Sequence, residues 1–154
     1  MTIMATLAED LLWEIRAFVY HYLAETTRPP SVEDTATRLA LATDEVVAAY
    51  EELHHRHAFF LQPGTHDILM ASPFSGVETP FHVRANGKTY FANCAWDSLG
   101  IPAALHADAE INAACSQSGH PIQLSVKAEQ LSKSDVLIHF LLPFREWYND
   151  LVFT

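Results

Sequence analysis

The stretch TYFANCAWDSLG, residues 89–100, brings a cysteine, a tryptophan and an aspartate within four positions. The chain holds two cysteines in all, Cys94 and Cys115, so a thiol three residues from the carboxyl of Asp97 stands out. β-Prone residues precede Asn93 and helix formers follow it. The stretch therefore reads as a strand-to-helix seam, with Asn93 as the cap and Cys94 in the first helical turn. A thiol there meets the positive end of the helix dipole, which lowers its pKa toward the thiolate. Asp97 lies one turn on, along the same face. Such a pair can pass a proton between its members or hold a soft metal ion together. A plain structural reading competes, because cysteine is a frequent core residue and a first-turn aspartate stabilises its helix.

Other candidates are weaker. Cys115 ends an expected strand before SQSGHP and reads first as a small core residue, with a second soft ligand or a disulfide to Cys94 as alternatives. His54, His55 and His57 sit together in HHRH, but neighbouring helical side chains diverge, which favours a solvated helix end over a metal site. Tyr90 and Trp96 read as aromatic core, or as walls of an apolar pocket.

The elements that must position these residues fall into two parts, divided near ASPFSGVETP: residues 1–75 as a helical unit and 76–154 as an α+β core. In the first part, 7–25 carries apolar residues at helical spacing and stops before Pro29-Pro30. A second helix over 31–42 opens with the capping pair Ser31 and Asp34, and a third begins at Thr43 as N-cap. AFFLQ and DILMAS around PGTH then predict a hairpin, giving a winged-helix-like unit. In the second part Asn86-Gly87 marks a tight hairpin. CAWDSLGIPAAL predicts a short helix ending near Gly100 and Pro102. DAEINAAC, PIQLSV and DVLIHFLLP predict three strands, and FREWYNDLVFT the start of a helix turning into a strand. The fold class is α+β: three helices packed on a small mixed or antiparallel sheet core with short helices.

Composition narrows the function. With 49% hydrophobic and 18% charged residues over 154 positions, the chain is globular rather than disordered. No apolar run is long enough to span a bilayer and the start lacks a secretory pattern, so the expectation is a cytoplasmic protein with free thiols and no membrane partner. The formal charge is −10. Residues 1–81 carry twelve carboxylates against four Arg, a balance of −8, and these include Asp44, Glu45, Glu51 and Glu52 on the helix that would read DNA. Such a surface repels phosphate, so no nucleic-acid partner is expected and a winged-helix regulator is disfavoured.

The run YFANCAWDSLGIPAAL, followed by Ile111, Cys115 and GHPIQLSV, resembles the core of the alkylmercury lyases, the enzymes that cleave organomercurials. The helical first part and ILMASPFSGVETPFHV also match that family's plan, so the resemblance covers nearly the whole chain. It implies protonolysis of a carbon–mercury bond. Cys94 resembles the mercury-binding thiol, Asp97 the proton shuttle and second mercury contact, and Cys115 a structural cysteine. No resident cofactor is implied; mercury is substrate and product, and small thiols or a mercuric reductase take it away. The family's second catalytic cysteine falls in the C-terminal segment, where LLPFREWYNDLVFT carries none. Two expectations follow: a chain that stops before that residue, or a member with one catalytic thiol. The rival to lyase activity is a protein that sequesters mercury, or another thiophilic metal, without cleaving the bond.

Overall fold

The computed structural model describes residues 8–150. Helix α1 (Glu9–Thr26) buries Leu12, Ile15, Val19 and Leu23 along one stripe, as its spacing predicts. It ends at Thr27, whose φ of 66° is left-handed and whose N–H returns to the Leu23 carbonyl. Helix α2 (Val32–Leu39) opens on the expected capping box. The Ser31 hydroxyl accepts from the Asp34 N–H and the Asp34 carboxylate accepts from the Ser31 N–H, each at 3.0 Å. Helix α3 (Thr43–His55) starts differently from expectation. Ala42 holds the N-cap position and its N–H donates to the Glu45 carboxylate at 3.0 Å, so Thr43 is the first helical residue rather than the cap. The glutamate does the capping, and no hydroxyl is needed. A buried hydrogen bond of 2.7 Å between the Thr35 and Tyr50 hydroxyls joins α2 to α3.

Strands β1 (Phe60–Leu61) and β2 (Ile68–Ala71) form the expected hairpin. A third strand, β3 (Phe74–Ser75), lies within the segment read as a linker and pairs with β2. Phe74 and Ser75 are buried there, and Phe74 bridges to Ala92 of the second part, so one core runs through both parts of the chain. Gly76, just after β3, allows this close approach to β2, because a Cβ on it would lie 2.0 Å from the Ile68 carbonyl oxygen.

The larger sheet is antiparallel, in the order β5-β4-β6-β7-β8. Its members are β4 (His82–Ala85), β5 (Lys88–Phe91), β6 (Ala109–Ala114), β7 (Pro121–Lys127) and a short β8 (Gln130–Leu131). Asn86 and Gly87, at φ of 51° and 74°, form the tight turn between β4 and β5. Helix α4 (Ala95–Leu105) covers β4 and β6 and buries Ser98, Ile101 and Pro102. It runs through Gly100 and Pro102, where the sequence predicts an end. Proline at this point forfeits one backbone bond and buries its ring in exchange, while Gly100 admits Pro73 so closely that a Cβ would meet it at 2.9 Å.

The α+β class holds, but one C-terminal expectation does not. Residues 135–143 pair with no strand, and Leu137 is 90% exposed. An apolar run signals burial without guaranteeing a neighbour, and β8 already occupies the outer side of β7 at Val126 and Lys127. The chain therefore leaves the sheet and then forms a short 3₁₀ helix, Phe144–Asn149, where the sequence predicts a helix to start. The strand expected to follow lies outside the described residues.

Candidate active site

The seam at 89–100 places Cys94 one position earlier than its sequence predicts. Cys94 itself is the N-cap residue, in extended backbone, and its carbonyl accepts the Ser98 N–H at 3.0 Å. Asn93 is therefore not the cap. Its side chain instead donates Nδ2–H to Asp97 Oδ2 at 3.0 Å, which fixes the carboxyl beside the thiol.

The electrostatics also depart from expectation. Burial pushes the Cys94 thiol above its ordinary pKa, and the nearby Asp97 carboxylate adds to the rise. The N–H groups of Asp97 and Trp96 do favour the thiolate, as a helix N-terminus should, but burial outweighs them. Burial also raises the Asp97 carboxyl, with the bond from Asn93 and a contact from Cys94 pulling the other way. Both groups thus hold their protons to higher pH than in water.

Cys94 and Asp97 share the wall of a cavity of about 500 Å³. Phe60 and Met70 from the β1–β2 hairpin contribute a second side, and Phe140, Phe144, Trp147 and Tyr148 from the C-terminal segment a third. Trp96 belongs to this wall rather than to the core: it is 57% exposed, whereas Tyr90 is buried as predicted.

Cys115 does not line the cavity, although its neighbour Ser116 does. Both cysteines are free thiols. Cys115 is half-buried on a turn closed by Gly119 N–H to the Cys115 carbonyl at 2.8 Å, so its first reading as a core residue is corrected. The Ser118 hydroxyl, followed by the Ser118 and Gln117 N–H groups, draws its thiol pKa down.

The histidines separate as helical geometry requires. His54 Nδ1 accepts the Leu61 N–H at 3.2 Å, and His55 is exposed. His57, however, turns into left-handed backbone at φ 57° and stacks on Tyr148 at 4.0 Å, so it reaches the cavity wall. The sequence reading set His57 aside as part of a solvated helix end and missed the aromatic segment at 140–148. The one available signal was the density of aromatic residues in FREWY and just before it.

A sequence profile of the family described as "MerB: Alkylmercury lyase" matches residues 74–153, slightly more than half of the chain and all of the site's α4 residues. The chain belongs to the alkylmercury lyase family. Among curated alkylmercury lyases, one from Bacillus cereus is 26% identical over 101 residues, covering 66% of this chain and 44% of the relative. One from Streptomyces lividans is 28% identical over 109 residues, covering 68% of this chain and 46% of the relative. The chain thus spans less than half the length of these relatives. A crystal structure described as the mercury-bound form of MerB2 matches with a TM-score of 0.67 at 23% identity, covering 86% of this chain and 63% of that one. That likeness establishes a shared alkylmercury lyase fold.

Proposed function

We propose that this alkylmercury lyase family member binds organomercurials at Cys94 and cleaves their carbon–mercury bond with a proton delivered by Asp97. The observation that carries the reading is the shared, partly apolar cavity in which a thiol and a proton-retaining carboxyl adjoin. Mercury is soft and sulfur is its preferred ligand. In the first step the Cys94 thiol displaces a ligand from R–Hg⁺, forming the S–Hg bond and releasing a proton. In the second, the protonated Asp97 gives its proton to the carbon bound to mercury. The electrons of the C–Hg bond form the new C–H bond, R–H departs, and Hg²⁺ remains on the Cys94 thiolate and the Asp97 carboxylate.

Burial assists both steps, because a desolvated carboxyl is a proton donor nearer neutral pH. Cys94 is the one thiol lining the cavity among the described residues. A small external thiol is therefore the natural second sulfur on mercury, and the route by which Hg²⁺ leaves, directly or toward a mercuric reductase.

The test incubates reduced protein with an organomercurial and excess thiol while released hydrocarbon and retained mercury are both measured. Hydrocarbon release that disappears in Asp97→Ala, with mercury still retained, is the expected result. Stoichiometric retention without hydrocarbon in the unaltered chain overturns the lyase reading in favour of sequestration.

A further inference from the structure

The chemistry above uses one wall of the cavity and leaves the aromatic walls without a role. Trp96 stands two residues past Cys94 on the first turn of α4, and its indole is largely uncovered by protein. Phe140 meets that indole edge-on, with ring centroids 6.2 Å apart at 62°. Trp147 stacks on Phe140 at 5.1 Å and 24°, and donates its own Nε1–H to the Leu142 carbonyl at 2.9 Å, so its polar edge is satisfied within the segment. The result is a set of ring faces and edges held at defined angles beside the mercury-binding thiol.

We propose that the organic group this site selects is a planar aryl group, seated against Trp96 and the Phe140–Trp147 pair while its mercury is held by Cys94. This rests on the organomercurial reading of Cys94 and Asp97. Aromatic rings attract one another in offset and edge-to-face geometry beyond what buried area alone supplies. A rigid ring also enters with no torsions to freeze, whereas a linear chain of equal carbon count must order its own bonds to cover the same wall. A methyl group is too small to reach it, since the cavity of about 500 Å³ far exceeds what one carbon fills. An aliphatic lining would offer no such discrimination. Here Trp96 and Phe140 line the same cavity as the thiol and take no part in the chemistry.

The experiment offers the full chain phenylmercury and hexylmercury together, in excess thiol, and reads benzene and hexane by gas chromatography. In one vessel the product ratio reports the ratio of kcat/KM, and the intrinsic reactivity of the two compounds is common to every variant. Trp96→Leu is expected to lower the benzene-to-hexane ratio on the order of fivefold, and Phe140→Leu to lower it in the same direction. Trp13→Leu, which removes an exposed indole outside the cavity, should leave the ratio unchanged. A ratio unmoved in both Trp96→Leu and Phe140→Leu overturns the proposal. If neither hydrocarbon appears, the lyase reading fails, and retention decides the aryl reading separately. Phenylmercury retained over hexylmercury from a thiol buffer, with the preference lost in Trp96→Leu, supports it; equal retention in the unaltered chain overturns it.

Discussion

At Cys94 two influences oppose each other. The N–H groups of Trp96 and Asp97 point at the sulfur and favour the thiolate, while burial and the neighbouring carboxylate favour the thiol. Burial wins, so the thiol is not pre-ionised, and in the proposed reaction R–Hg⁺ itself has to displace the proton. Cys94→Ser should lose both mercury retention and hydrocarbon release, since an alcohol is a hard ligand of high pKa. Burial raises the Asp97 carboxyl, which is the proton donor in the proposed reaction. Cleavage is therefore full while Asp97 is protonated and falls as pH rises through its raised value, which a pH–rate profile at saturating substrate will register. Asn93 donates to Asp97 Oδ2 and holds the carboxyl in place. Asn93→Ala frees the carboxyl to rotate, and kcat should fall about tenfold with retained mercury little changed. A variant with kcat intact would remove Asn93 from the positioning of the acid.

Among the elements, α2 and the β3 turn carry their own tests. The Asp34 carboxylate is held below its ordinary pKa by the Ser31 N–H and hydroxyl. A depressed folded pKa contributes stability that is present above the unfolded value and is lost as pH falls through the folded one. Asp34→Ala should thus lower Tm near neutral pH and lose that difference as pH falls through the lowered folded value. Ser31→Ala removes the reciprocal half of the box and should cost about 1 kcal/mol in denaturant unfolding. Gly76→Val is more severe, because any Cβ meets the Ile68 carbonyl oxygen at 2.0 Å. Strand β3 must shift, and with it the bridge from Phe74 to Ala92 that precedes the turn carrying Cys94. Loss of stability by about 2 kcal/mol or more is expected, with cleavage reduced alongside it.

The whole molecule carries a formal charge of −10, and its acid side chains engage the cation that the third helix offers. Arg56 is held by Glu9 and Glu52, each at 2.7 Å, which leaves Asp44, Glu45 and Glu51 exposed on α3. Duplex DNA should therefore not be retained even at low salt in a gel-shift titration; a retained complex would revive the regulator reading. No helix among the described residues is long and apolar enough to cross a membrane. The buried cluster runs from α1 through β6, so a cavity in one half is supported by packing in the other. Ile15→Ala, far along the chain from Cys94, should cost about 2–5 kcal/mol by opening that core.

The sequence by itself determined whatever is local or periodic. The stripe of α1, the Ser31–Asp34 box, the Asn86-Gly87 turn and the adjacency of Cys94 and Asp97 all depend on residues a few positions apart. The α+β class was legible for the same reason, and the order of motifs was enough to indicate the family. Tertiary structure decided what depends on company from distant segments. It set the direction of the Cys94 pKa, because burial is contributed by other elements and the helix dipole alone predicts the opposite sign. It released 135–143 from the sheet, since periodicity cannot say whether a partner strand is free. It moved Trp96 from core to cavity wall and brought Phe140, Tyr148 and His57 to the same space. Those residues come from three separate segments, and only packing can bring them to one cavity.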